Sequence, residues 1–251
     1  MTVGDRPTDT ERDALASGDQ ELALTALREH LGELQLPQLV HRRRAIILFE
    51  GSEGSGKKYA LKQLAAAFDP CHYSVHCIGY DRREASEGHW LARFWQHLPP
   101  AGETAVFFRS WYRRVLDDRV LGRIDEKTAA RAFDEINEFE AQQRDYGTLI
   151  VKLFFEVGAD VQRMRLDARR MHPWLGIAQR DEAVSVGDPV YLKALEDLRA
   201  NSNTRWSPWR MIDGTDERAA AISALSAIAD AWASSMPSEP PHLVENPTRA
   251  A

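Results

Sequence analysis

Cysteine is scarce in this chain of 251 residues, which contains only Cys71 and Cys77. The stretch between them has the alternation of a strand, with Tyr73 and Val75 among polar residues. At ~3.3 Å per residue, a strand would hold the two thiols roughly 20 Å apart, too far to share one metal ion or form a disulfide. We therefore expect two buried free thiols.

The sequence also lacks a long apolar run and an excess of basic residues. No stretch approaches the ~20 apolar residues of a membrane helix, and the polar, acidic start has neither the basic nor the apolar part of a signal peptide. The formal net charge is -6, which argues against a broad basic face for duplex nucleic acid. We expect a cytoplasmic protein that binds neither DNA nor a membrane, in which a local cluster of cations meets any polyanion.

Hydrophobic residues make up 43% of the chain, enough to build a sizeable core. The two ends are polar, and the second holds several prolines. We therefore expect one domain over residues 17–236, with a flexible N-terminus at 1–16 and a flexible tail at 237–251.

Apolar runs and helical periodicities alternate along this domain. Strands are expected at 45–49, 73–78, 104–108, 149–157 and 209–212, with helices between them. An outer helix is expected over 17–36, ending at Pro37. Strands separated by helices predict an α/β fold with a parallel sheet and helices on both of its faces.

The first strand leads directly into the loop from Gly51 to Lys57, which fits the phosphate-binding pattern G-x-x-x-x-G-K. In such a loop, backbone N–H groups, the start of a helix and a lysine converge on an anion. The candidate phosphate ligands are Gly51, Gly54, Ser55, Gly56, Lys57 and Lys58. The alternative is a flexible turn whose lysines are solvated. Lys58 is unusual, because nucleotide-hydrolysing loops place a Ser or Thr there to hold magnesium.

Four segments in this order resemble the polyphosphate kinase 2 family: FEGSEGSGK, HLPPAGE, FFRSWYRR and SPWRMIDGTDER. The likeness extends over roughly residues 36–232. It implies a P-loop kinase-like fold with a helical lid region, and phosphoryl transfer between inorganic polyphosphate and nucleotides. The aromatic residues of the outer helices, including Trp90 and Trp95, are consistent with an oligomer of this chain or with an active subunit, although buried packing explains them as well.

Carried over residue by residue, the resemblance implies that Lys57, Glu53 and Arg109 are catalytic and that Glu53 holds Mg²⁺. It further implies that Arg113 and Arg114 neutralise a phosphate chain and that Arg82 approaches the nucleotide. Guanidinium groups bind phosphate oxygens in bidentate fashion, which suits these roles. The alternatives are that the arginines after the third strand pair with nearby acids such as Asp117 and Asp118, and that Arg82 and Arg83 are solvated. Trp111 and Tyr112 are interpreted as packing residues.

The chain departs from the family pattern at three places. The pattern has aspartates in the loop and on the third strand, where this sequence has Glu53 and Phe108. Phenylalanine cannot bind a metal, and Mg²⁺ takes oxygen ligands with strict geometry. The third departure is the lid, whose cations are replaced by the stretch 172–176. Four arginines of the preceding helix are possible substitutes, although we expect most of them to be exposed: Arg163, Arg165, Arg169 and Arg170.

These departures resemble the silent first domain of tandem members of the family. The leading hypothesis is a protein that binds phosphate at Lys57 while transfer is weakened or lost. A second is a working phosphotransferase in which Glu53 holds Mg²⁺. A third is an unrelated P-loop kinase acting on a small molecule.

Overall fold

Five parallel strands form a single sheet in the described part of the chain. The computed structural model describes residues 9–78, 88–174 and 184–241. The strands lie in the order β2-β3-β1-β4-β5, and every neighbouring pair is parallel. They are β1 (Arg44–Gly51), β2 (Tyr73–His76), β3 (Thr104–Phe108), β4 (Thr148–Glu156) and β5 (Trp209–Asp213). The predicted α/β fold is confirmed.

Helices cover both faces of this sheet. Within the described residues they are α1 (Asp9–Val40), α2 (Lys57–Ala65), α3 (Ala92–Trp95), α4 (Asp117–Val120), α5 (Glu126–Asp145), α6 (Ala159–Met171), α7 (Pro189–Ser202) and α8 (Glu217–Ser235). Short 3-10 turns occupy Pro70–His72 and Trp111–Arg114. Helices α1, α2 and α8 pack on one face, while α5, α7 and the Trp111–Arg114 turn pack on the other.

The side chains of β1 alternate between the two cores. Ile46 and Leu48 belong to the core under α5 and α7, and Ala45, Ile47 and Phe49 belong to the core under α1, α2 and α8. All five are fully buried, as the continuous apolar run predicts for a central parallel strand. The carboxyl end of β1 therefore emerges between β3 and β4, where loops from both neighbours can reach it.

The predicted bounds of the outer helix were wrong at both ends. Helix α1 begins at Asp9 and continues through Pro37 to Val40. Its last turn is anchored by the buried side chain of Gln38, which donates to Thr104 Oγ1 over 2.9 Å and accepts from Trp232 Nε1 over 3.1 Å. These contacts hold the chain helical beyond the proline, so tertiary packing overrides the local stop signal.

The expectation of two buried thiols was also wrong. Cys71 and Cys77 are free and exposed. Cys71 lies in the 3-10 turn before β2 and Cys77 directly follows β2, which is an edge strand of the sheet. An edge position leaves both residues without a covering element.

The chain ends lie partly beyond the described residues, which exclude 1–8 and 242–251. The domain limits and the flexible ends therefore stay predictions. Among the described helices, none has the length and apolarity to cross a membrane.

Candidate phosphate-binding site

The first residue of the loop between β1 and α2 has a backbone conformation that only glycine adopts without strain. Gly51 has φ of 127°, and a Cβ there would lie 2.3 Å from the carbonyl oxygen of Phe155 on β4. Gly56, directly before α2, has φ of 82°, which is also left-handed. The loop is thus held in a tight turn beside β4, in a conformation that side chains would prevent.

Two serine hydroxyls of this loop have no hydrogen-bond partner among the residues that the structure describes. Gly56 is the N-cap of α2 and offers no side chain to its first backbone N–H groups. The hydroxyls of Ser52 and Ser55 are buried and have no hydrogen-bond partner in the described part of the chain. Unsatisfied donors at a helix start are suited to an anion. Lys58, by contrast, is exposed on α2.

Lys57 lies inside the loop rather than in solvent. Its side chain is buried, and Nζ donates to the carbonyl oxygens of Gly51 and Ser52, the latter over 2.9 Å. Nζ also lies 5.4 Å from the centre of the Phe108 ring. Burial lowers the pKa of Lys57, and the charges of Glu53, Glu50 and Asp117 oppose this shift only partly. The Lys57 ammonium is held by loop carbonyl oxygens and makes no ion pair with a carboxylate among the described residues. Its positive charge is therefore available to a phosphate group.

Glu53 bridges two arginines from different elements. Its Oε1 lies 2.5 Å from the guanidinium of Arg109, after β3, and its Oε2 lies 2.8 Å from that of Arg169 on α6. Burial alone would raise the pKa of Glu53, but the charges of Lys57, Arg109 and Arg169 outweigh it, and the pKa lies below its ordinary value. Arg109 has φ of 76°, a left-handed conformation that costs about 1–2 kcal/mol in a residue with a side chain.

Helix α6 sends two of its four arginines to the loop. Arg165 donates to the carbonyl oxygens of Gly54 and Gly214 over 2.8 Å each and to that of Thr215 over 2.7 Å. Arg169 lies one turn further along and reaches Glu53. Arg163 and Arg170 pair instead with acids of their own helix and are mostly exposed. Two of the four arginines are thus exposed, fewer than the majority that was expected.

The site includes two buried residues that the sequence patterns did not predict. Gln162, on α6, donates from Nε2 to the carbonyl oxygens of Glu53 and Val184 over 3.1 and 2.9 Å. Glu50, at the end of β1, accepts from the backbone N–H and the hydroxyl of Ser110 over 2.6 Å each. Burial raises the pKa of Glu50 despite these two bonds. An acid ending an apolar strand was a signal for Glu50, whereas no local pattern indicates Gln162.

The arginines after β3 point to different places. Arg109 reaches the loop through Glu53. Arg113 is buried, with Nε 3.7 Å from Asp117 Oδ2, as the alternative of pairing with a nearby acid predicts. The guanidinium of Arg114 lies over the ring of Trp90, 5.6 Å from its centre. The phosphate roles of Arg113 and Arg114 stay predictions.

The residues around the loop do not form a ready magnesium site. Both carboxylate oxygens of Glu53 face guanidinium groups, and Phe108 supplies no oxygen. No group of three His, Cys, Asp or Glu side chains in the described ranges is arranged to hold a metal ion. Magnesium at Glu53 stays a prediction. Arg82 lies outside the described residues, and so does the segment 175–183 in the expected lid.

A parallel sheet whose central strand ends in a glycine-rich, lysine-containing loop before a helix defines a P-loop protein. Residues 14–240 match the family described as Polyphosphate kinase 2 (PPK2). The chain belongs to the polyphosphate kinase 2 family, as the sequence motifs predicted.

Individual relatives show how far the similarity extends. A polyphosphate:AMP phosphotransferase of Pseudomonas syringae pv. tomato is 33% identical over 74% of this chain and 38% of its own length. ADP-polyphosphate phosphotransferase 2 of Rhizobium meliloti is 28% identical over 84% of this chain and 70% of its own. The crystal structure of polyphosphate kinase 2 from Arthrobacter aurescens TC1, 24% identical, superposes with a TM-score of 0.80 over 91% of this chain and 83% of that one. This last likeness shows the fold.

The chain spans about two fifths of the length of the polyphosphate:AMP phosphotransferases that it matches, with shares of 38%, 42% and 39%. What those longer proteins do as a whole therefore bears on this chain only as a proposal. Family membership does overturn one hypothesis, that of an unrelated P-loop kinase sharing only the fold.

Proposed function

We propose that this chain binds the phosphate groups of inorganic polyphosphate or of a nucleotide at the loop from Gly51 to Lys57, and that phosphoryl transfer is weakened or lost. One observation carries the proposal: the loop keeps a buried lysine and two buried serine hydroxyls without a hydrogen-bond partner among the described residues, while Phe108 stands beside that lysine. The family relatives act on polyphosphate with AMP or ADP, according to their names, and these ligands share the phosphate chain.

The binding half of the proposal rests on charge and on unpaired donors. A phosphate at the start of α2 would accept hydrogen bonds from backbone N–H groups of the loop, from the Ser52 and Ser55 hydroxyls and from the Lys57 ammonium. Hydrogen bonds of this charge-assisted kind are about twice as strong as neutral ones. A chain with a formal net charge of -6 has to concentrate its cations locally to hold a polyanion, and this site does so.

The transfer half rests on missing oxygen ligands. Phosphoryl transfer depends on positioning and on compensation of the moving charge, for which kinases use metal ions held by carboxylates. Phe108 provides no carboxylate, and that of Glu53 is shared between two arginines. We therefore expect a protein that binds phosphate but transfers it poorly. We further expect it to work in the cytoplasm and to assemble with a second copy of this chain or with an active subunit.

The test is a transfer assay beside a binding assay on the same purified protein. Polyphosphate and Mg²⁺ are supplied with AMP, ADP or GDP, and product is measured together with polyphosphate affinity. We expect binding that Lys57→Ala weakens, with little or no product. Robust turnover that Lys57→Ala abolishes would overturn the proposal of weakened transfer.

A second candidate is a working polyphosphate:nucleotide phosphotransferase. It is favoured by Arg165 and Arg169, which bring cations from α6 to the loop where the family lid is depleted. Glu53 would then leave its arginines to hold Mg²⁺. This candidate predicts that Glu53→Gln abolishes product formation and that Phe108→Asp changes it modestly; a Glu53→Gln variant with full activity would count against it.

A further inference from the structure

The carboxylate of Glu53 contacts two arginines beside the phosphate loop. Each of its two carboxylate oxygens receives one guanidinium, from Arg109 at 2.5 Å and from Arg169 at 2.8 Å. The carboxylate side chain is only 24% exposed. A planar anion held between two arginines matches the way these side chains bind phosphate oxygens.

The position of Glu53 is fixed by its backbone as well. Its carbonyl oxygen accepts from the buried amide of Gln162, which also donates to the carbonyl oxygen of Val184. The carboxylate is therefore presented to the two arginines by the protein itself. A tethered group competes at a high effective concentration, without the entropy cost that a free ligand pays.

We infer that Glu53 is a built-in competitor of the phosphate ligand, and that a phosphate chain must displace its carboxylate to engage Arg109 and Arg169. The inference rests on the proposed function, since it concerns ligand binding at the same loop. It makes Glu53 a residue that determines specificity: only a ligand with enough negative charge to replace the carboxylate gains both arginines.

The consequence for affinity has a definite sign. If Glu53 competes, its removal ends its ion pairs with Arg109 and Arg169 in a partly desolvated site, and phosphate chains bind more tightly. If Glu53 instead held a metal for the ligand, its removal would weaken binding. The two roles thus predict opposite effects of one substitution.

The experiment measures tripolyphosphate binding by titration calorimetry, with a chelator present to remove divalent cations. Glu53→Gln should bind at least about tenfold more tightly than the wild type, because close ionic contacts in binding sites reach this size. Glu53→Asp, whose shorter side chain cannot span both arginines, should fall between them. Glu53→Asp also preserves the negative charge, so its affinity can still be compared with that of the wild type if Glu53→Gln folds poorly. The matched control is Glu126→Gln, which breaks the 2.5 Å pair with Arg119 away from the loop and should change affinity by less than about twofold.

A double-mutant cycle separates displacement from a general change in charge. In an Arg169→Ala background, the gain from Glu53→Gln should shrink to below about threefold, since one of the two arginines that Glu53 contacts is gone. Unchanged or weaker binding by Glu53→Gln would overturn the inference while leaving phosphate binding in place. Absence of tripolyphosphate binding in both wild type and Glu53→Gln, or full binding by Lys57→Ala, would overturn the proposed function as well.

Discussion

At the residue scale, the ring of Phe108 lies 5.4 Å from the Lys57 ammonium, where the family pattern has an aspartate. A cation over an aromatic ring gains about 0.5–2 kcal/mol, but the ring binds no metal. The negative charges that act on Lys57 come instead from Glu53, Glu50 and Asp117. The lysine is thus buried beside an aromatic ring, and residue 108 offers no carboxylate to a metal.

Glu50 gives a pH-dependent signature of this arrangement. Burial raises its pKa above the ordinary 4.5, so the folded protein binds a proton more readily than the unfolded chain. Stability from this group is full below pH 4.5 and falls as the pH rises through the raised pKa. Glu50→Gln cannot ionise, yet keeps an oxygen for Ser110. We predict that its stability relative to wild type increases as the pH rises above 4.5, measured by urea unfolding; a constant difference would contradict this.

At the element scale, α6 connects two separate loops through Arg165. Arg165 joins the phosphate loop at Gly54 to the segment after β5 at Gly214 and Thr215. Gly214 itself approaches so closely that a Cβ would lie 2.2 Å from the carbonyl oxygen of Ser55. The loop is therefore held by β4, by α6 and by the turn after β5.

Removing the Arg165 contacts should loosen the loop without unfolding the protein. Arg165→Ala leaves three carbonyl oxygens without this partner, so we predict faster hydrogen exchange over residues 51–57 and roughly tenfold weaker tripolyphosphate binding. Arg163→Ala is the matched control, because Arg163 lies on the same helix, is 71% exposed and pairs with Asp160. Equal effects of the two substitutions would argue against the fastening role.

A second set of contacts joins β4 to its covering elements through Lys152. Its fully buried ammonium lies 3.0 Å from Glu140 on α5 and donates to the carbonyl oxygen of Ser202 on α7 and to the hydroxyl of Tyr112. Lys152→Met removes the cation paired with the buried Glu140 carboxylate, which keeps its hydrogen bond from Trp111 Nε1, so we predict a loss of about 3–5 kcal/mol in unfolding free energy. Combining it with Glu140→Gln should restore most of that loss. A single variant as stable as wild type in urea would refute this.

At the scale of the whole molecule, the sheet was predictable and the contacts around the loop were not. The strand at 104–108 was predicted with its observed bounds, because a short apolar run that follows a turn is typical of a buried strand. Most arginines of α6 were expected to be exposed, because only packing decides that Arg165 and Arg169 meet the loop. Pro37 and the cysteines were misjudged for the same reason: their local signals carry no information about Gln38 anchoring or about which strand is at the edge.

Both cores share one sheet, so we expect the domain to unfold as one unit. Trp232 is buried in the core under α1, α2 and α8, whereas Trp111 and Trp209 are buried in the core under α5 and α7. Urea transitions followed by near-ultraviolet circular dichroism, which reports the packed aromatic rings, should coincide with those followed by far-ultraviolet circular dichroism. Two separated transitions would show that the layers unfold independently.

The central claim is that the loop between β1 and α2 binds phosphate through Lys57. Calorimetric titration of tripolyphosphate into wild type, Lys57→Ala and Lys58→Ala tests it directly, since these neighbouring lysines differ in that the first is buried in the loop and the second is exposed. We predict binding by wild type, at least about tenfold weaker binding by Lys57→Ala, and a change below about threefold for Lys58→Ala. No detectable binding by wild type, or equal binding by wild type and Lys57→Ala, would contradict the claim.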